Sequence, residues 1–320
     1  MQLPRIRSAL VAIGLLLSLG TIAAASAPAA ARPHTGAGLM LTDPSASSAP
    51  SGITALWAWG NPIDPAVDAR GRGEPQFEPD ALADFARGHG LRTVYLSVPW
   101  AADEGPFGPW LTAAVTALHG AGVTKVAALG GDPAWADDPT LAATWAAAAL
   151  RAAPFDAVQF DVEPWAVSSD ADLPGVVARL STMYDTTREA IGATPIGADL
   201  PWWLAAKQQP DGGTAFDALL PHLTSVAVVA FSDHAEGPDG IVALAQPAAA
   251  AASAAGVPFT VGVETDTPAV AGGASATFGD DTAAALEEQT GLVRAALSSL
   301  PGYQGVSVEH LLAWQALIAR

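Results

Sequence analysis

From residue 51 onward the chain alternates between two hydrophobic patterns. Short apolar runs rich in Val, Ile, Leu and Ala predict strands at Ile53–Trp59, Thr93–Trp100, Lys125–Gly130, Phe155–Glu163, Pro195–Leu200, Ser225–Phe231, Phe259–Thr265 and Gly305–Leu311. Between them, longer amphipathic or Ala-rich segments predict helices over Pro79–Gly90, Pro109–Gly120, 140–152, Leu173–Ile191, Phe216–Leu223, 240–255 and Thr282–Leu300, with a short helical tail. Punctuation supports the boundaries: Asp138-Pro139 is a start signal and Gly90 a stop. Strictly alternating strands and helices build a parallel sheet, and about eight such units in roughly 250 residues close into a barrel. An open doubly wound sheet would carry a Gly-rich phosphate loop after its first strand, and Trp57-Ala58-Trp59-Gly60-Asn61-Pro62 is unlike one. The expected fold is α/β, a single-domain (β/α)8 TIM barrel over residues 51–320.

The fourth strand organises the chemistry. In Phe155–Trp165, Val158, Phe160 and Val162 point one way, while Gln159, Asp161 and Glu163 point the other. Pro164 then ends the ladder, having no N–H to donate. Strand seven repeats this logic, with Phe259, Val261 and Val263 outward and Thr260, Gly262, Glu264 and Asp266 inward. A barrel's site lies at the C-terminal ends of its strands. Those ends carry Trp57 and Trp59, Trp100, Asp161, Glu163 and Trp165, Asp199, Trp202 and Trp203, Asp233, Glu264, then Glu309, His310 and Trp314. Of the last strand's neighbours Glu309 and His310, alternation turns Glu309 inward behind Gly305 and Ser307.

Composition narrows the partners. The formal net charge is −18, from 32 acids and 14 bases, which disfavours nucleic acid and anionic membrane surfaces. The absence of cysteine removes disulfides, zinc–thiolate sites and thiol nucleophiles. Arg5 and Arg7, the apolar stretch 9–19 and Ala29-Ala30-Ala31 predict a secretory signal over 1–31, removed on export. A Pro-, Ser- and Ala-rich leader over 32–50 follows. The expected location is extracellular, with no membrane contact after cleavage.

Carboxylates interleaved with aromatics at a barrel mouth suit glycoside chemistry. One carboxylic acid protonates the leaving oxygen, and a second group stabilises or attacks an oxocarbenium-like centre. Tryptophan faces stack on sugar C–H surfaces. Glu163, Glu264 and Asp161 are the catalytic candidates. Trp57, Trp59, Trp100, Trp165, Asp199, Trp202, Asp233, Glu309 and Trp314 are the substrate-binding candidates. No cofactor or resident metal is expected, and the expected partner is a carbohydrate.

Asp156-Ala157-Val158-Gln159-Phe160-Asp161-Val162-Glu163 resembles the D-x-x-D-x-D-x-E signature of the chitinase-like family 18 glycoside hydrolases, with Gln159 at the middle Asp and Ala157 at the usual Gly. The resemblance implies that Glu163 is the general acid and that Asp161 orients a substrate acetamido group. Ala230-Phe231-Ser232-Asp233 partly resembles that family's M-x-Y-D, with Ser232 at the Tyr position. The layout also resembles retaining barrel glycosidases with the acid at strand four and the nucleophile at strand seven, Glu163 and Glu264 here. Two rival classes stay open: a non-catalytic carbohydrate-binding barrel, and a metal-dependent hydrolase using Asp132, Asp161, Asp199, Asp233, Glu264 and His310.

Overall fold

The computed structural model describes residues 52–166, 168 and 172–320. The expected signal and leader lie outside the described residues.

Strands β1 (Ile53–Ala58), β2 (Thr93–Ser97), β3 (Lys125–Gly130), β4 (Ala157–Phe160), β5 (Ile196–Pro201), β6 (Ser225–Val229), β7 (Phe259–Glu264) and β8 (Tyr303–Glu309) pair in sequence order, all parallel. β1 closes on β8. The fold is a single-domain (β/α)8 TIM barrel. Its outer layer comprises α1 (Pro79–Gly88), α2 (Phe107–Gly120), α3 (Pro139–Ala152), α4 (Leu173–Ile191), α5 (Ala215–Leu219), α6 (Ile241–Ala255), α7 (Pro268–Ala271), α8 (Ala283–Leu297) and α9 (Leu311–Ile318).

Local chemistry sets these boundaries. Asp138 caps α3 by accepting from the Thr140 N–H, and Thr282 caps α8 by accepting from the Ala285 N–H. α6 stops at Gly256, whose left-handed backbone (φ 70°) suits glycine. The predicted helices recur within a few residues, whereas the predicted strands two and four run too long. Pro99 follows β2 closely, and β4 pairs with β5 only as far as Phe160↔Ala198. Asp161 and Glu163 therefore stand just beyond β4. The Asp161 N–H still donates to the Gly130 carbonyl, which keeps Asp161 in line with the strand.

The strand alternation divides the core in two. Val158, Phe160, Val162, Phe259, Val261 and Val263 belong to the large cluster between strands and helices. A smaller cluster fills the barrel: Ala55, Trp57, Tyr95, Ala127, Leu129, Ala157 and Ala227. Gly262 makes room for it, because a Cβ there would meet the Trp57 ring at 2.9 Å. Gly131 is tighter still, since a Cβ would fall 1.6 Å from the Asp161 carbonyl oxygen. Gly131→Ala is expected to destabilise the protein by about 1–3 kcal/mol, because backbone must move to admit the methyl. Gly88→Ala, with open space at its Cβ, is the control. Equal denaturation midpoints for the two variants would refute this account of the β3–β4 seam.

Candidate active site

Five carboxyl groups converge at the C-terminal mouth of the barrel: Asp161 and Glu163 after β4, Asp199 on β5, Glu264 on β7 and Glu309 on β8. Each is raised by burial, and their charges act on one another. Glu264 and Glu309 face each other in register across β7 and β8, and Glu309 is likewise in register with Trp57 of β1. Asp199 and Glu264 are buried, while Asp161, Glu163 and Glu309 retain part of their exposure. None of the five makes an ion pair among the described residues.

Indole and amide donors hold the acids in place. Trp57 Nε1 donates to Asp199 Oδ2 at 3.1 Å and Gln159 Nε2 to Asp199 Oδ1 at 2.8 Å. Gln159 finds space because Gly197, its partner on β5, has no side chain; a Cβ there would fall 2.1 Å from Oε1. Glu264 Oε1 accepts from the N–H groups of Thr265 at 2.7 Å and Asp266 at 2.8 Å. The Thr265 N–H and hydroxyl both donate to the Glu309 carbonyl, at 2.7 and 2.6 Å, tying the ends of β7 and β8 together.

Environment separates the acids. Burial, reinforced by the neighbouring Asp161 charge, pushes Glu163 up to about 8, with the Trp165 indole pulling the other way as a donor. Burial raises Asp161 to about 6. It raises Glu264 to about 7 against the two backbone N–H groups that favour its charged form. Asp199 is held well above the carboxylate range by burial and by Asp161, and Glu309 by burial, Glu264, Asp161 and Asp199. The Trp59 indole opposes the shift of Glu309 as a donor.

The aromatic expectations divide. Trp59 and Trp165 are half-buried beside Glu309 and Glu163. Trp203 packs edge-on against Trp165, ring centroids 5.7 Å apart, and Trp202 is also half-buried. Trp100 is 42% exposed beyond β2. Its loop is pinned by Arg70, which donates to the carbonyls of Trp100, Ala101 and Glu104 at 2.6–2.9 Å. Trp57 is 1% exposed inside the barrel, so it serves the site through its N–H and not as a stacking face. Trp314 does not join the mouth: it lies on α9, 1% exposed, packed on Phe85 and His89, because α9 turns its apolar side to the core. Asp233 sits beyond β6, bound to His234 Nδ1 at 2.5 Å, and its charge reaches Asp281 instead of the five acids.

Some neighbours had no role in the glycosidase reading of the sequence. Gln159 looked like a departure from a motif, yet it is the amide that holds Asp199; its inward position in the alternation was the available signal. Tyr184 of α4 lies fully buried near Asp199 and Asp161. His310 Nε2 lies 3.2 Å from Asp266 Oδ2, linking the loops after β7 and β8. Neither link leaves a trace in local sequence. Among the described residues, no group of three or more His, Cys, Asp or Glu is arranged to hold a metal ion.

No family model and no curated protein matches the chain. Solved structures resemble it at low identity. A GH18 chitinase from Pseudoalteromonas aurantia is 13% identical at a TM-score of 0.49, covering 82% of this chain and 98% of its own. The Bacillus cereus spore cortex-lytic enzyme SleL is 9% identical at 0.48, covering 82% and 72%. The GH18 chitinase ChiB from Flavobacterium johnsoniae is 13% identical at 0.48, covering 85% and 90%. Likeness at this level carries no argument about function, and the chemistry must come from the site itself.

Proposed function

We propose that this protein is a glycoside hydrolase that cleaves a poly- or oligosaccharide at the C-terminal mouth of its barrel. The observation that carries this is the set of carboxyls at the ends of β4, β5, β7 and β8, without an ion pair among the described residues and with differing proton affinities, flanked by Trp59 and Trp165. Glu163 is the general acid. Burial and the Asp161 charge keep its proton in place at neutral pH, as a group that must protonate a leaving oxygen requires. As the bond from the anomeric carbon to that oxygen breaks, the bonding electrons leave with the oxygen, which takes the Glu163 proton. Glu264 supplies the second carboxylate, stabilising or attacking the positive centre, with its Oε1 anchored by two backbone N–H groups. A water oxygen then bonds to the anomeric carbon, displacing Glu264 where it has attacked, and the proton that this water gives up restores Glu163. Trp165 and Trp59 offer apolar faces to sugar rings, and Trp100 extends that surface outward.

The reading includes export. Arg5, Arg7 and the apolar stretch 9–19 support a cleaved signal over 1–31, leaving the barrel of 51–320 to act outside the cell. Among the described residues no helix is long and apolar enough to cross a membrane.

Release of reducing ends from a panel of polysaccharides, chitin and glucans included, tests the reading. Turnover that persists in chelator is the expected result. Loss with chelator and recovery on adding a divalent cation would favour a metal-dependent hydrolase. Saccharide binding without turnover across the panel would favour a binding barrel.

A further inference from the structure

The loops after β1 and β2 stand side by side on the rim, because β1 pairs with β2. One side chain joins them. Arg70, in the loop after β1, uses all five N–H donors of its guanidinium. Nε donates to Asp68 Oδ1 at 2.9 Å and Nη2 to Asp68 Oδ2 at 2.7 Å. Nη1 donates to the carbonyls of Trp100 and Ala101 at 2.6 and 2.7 Å, and Nη2 also donates to that of Glu104 at 2.9 Å. The group lies over the Phe107 ring, 4.7 Å from its centroid.

The β2 loop is held from other sides too. Asp103 pairs with Arg151 of α3 at 2.8 Å, and Ala102 is buried. A Cβ at Gly105 would fall 3.0 Å from both Arg70 Nη2 and Asp68 Oδ2, so glycine lets the loop close on the clamp. Ala101 has φ 53°, alone in the left-handed region among the described residues other than glycine. An alanine is strained there, the surrounding bonds must offset that strain, and such outliers cluster at functional sites. Holding a loop needs no exposed indole, yet this loop presents Trp100. It is 42% exposed, the one aromatic among the exposed large apolar side chains of the described residues. Register sets how far out it stands: Ala58 is level with Leu96, so Trp59 lies one residue beyond that level and Trp100 four. The difference of three residues spans at most about 10 Å.

We propose that Arg70 is a positioning residue that holds Trp100 as an outer stacking platform, so that the site favours long saccharide chains over short ones. The inference rests on the glycosidase reading for the class of ligand. A short oligomer seated beside Glu163 and Trp59 ends below Trp100. A longer one crosses the β2 edge and lays a further sugar ring on the indole. A platform fixed in advance loses less freedom on binding than one that must first be ordered.

The test compares dimers with hexamers of the cello-, laminari- and chito-oligosaccharide series on the full-length chain. Affinity is read by calorimetry in Glu163→Gln, and kcat and KM in the wild type. For the series that binds, the hexamer is expected to bind more tightly than the dimer. Trp100→Ala and Arg70→Gln should each weaken the hexamer about five- to tenfold and the dimer less than about twofold, through KM and not kcat. Arg70→Lys should behave as Arg70→Gln, because three donors cannot replace five and the fork on Asp68 is lost. It stands in for Arg70→Gln if that variant fails to fold. Equal affinity for dimer and hexamer, a preference that survives either substitution, or no binding of any oligomer overturns the inference. A loss in the Arg70 variant shared equally by dimer and hexamer overturns it too, as the mark of a purely structural role. If the wild type hydrolyses an oligomer in any of those cases, the glycosidase reading survives alone. A hexamer preference that depends on Trp100 and Arg70, without turnover of any oligomer, keeps the inference and removes the glycosidase reading.

Discussion

Glu163→Gln is expected to lower the turnover of any glycoside substrate by about 10²- to 10⁴-fold, the span associated with loss of a positioned proton donor. The amide matches the carboxyl in shape, and its oxygen can still accept from Trp165, so KM should stay within about threefold of wild type. The wild-type rate should fall as pH rises through about 8, where Glu163 gives up its proton to solvent. On the acid side it should fall as Glu264, near 7, becomes protonated. The variant should lose the alkaline limb altogether. Undiminished turnover in Glu163→Gln would remove the proton from this residue. Glu309 would become the next donor to examine, because the charges of Glu264, Asp161 and Asp199 all hold its proton in place.

The same substitution should make the protein more stable at alkaline pH. An unfolded chain releases the Glu163 proton near the ordinary 4.5, whereas the folded protein retains it to about 8. Between those values the native state binds more protons, so stability falls as pH rises across that window; below it both states are protonated and the difference vanishes. Asp161, from 3.8 to about 6, and Glu264, from 4.5 to about 7, act in the same direction. Replacing Glu163 with a neutral isostere removes its share. Glu163→Gln is expected to gain about 1–2 kcal/mol at pH 8.5 over wild type and almost nothing at pH 4. Denaturant titrations at the two pH values check this. A gain of the same size at acid pH would show that charge burial is not its source.

Much of the barrel was legible because its determinants are local. The alternation in Phe259–Thr265 separated the residues facing the helices from those facing the barrel, and the structure keeps that division. The inward direction of Glu309 followed from the same period, and Glu309 shares the field of Glu264, Asp161 and Asp199. What stayed illegible depends on contacts between distant segments. A tryptophan at a strand end reads alike whether it lines a cleft or fills a core. Trp59 and Trp314 diverge only because β1 delivers one to the mouth while α9 presses the other onto Phe85. Asp233 was expected with the acids by its place after β6, but an adjacent histidine captures it. Gln159 could be placed on the inner face but not matched to Asp199, 40 residues away in the chain.

The plug of Trp57, Tyr95 and Leu129 inside the strands has a bearing on traffic. With that interior filled, the barrel is a cup with one doorway. For the glycosidase proposed above, substrate, the attacking water and both cleavage products would have to share the rim, because the filled interior closes the opposite end. A long polymer could not thread such a vessel; as a substrate it would have to lie across the opening.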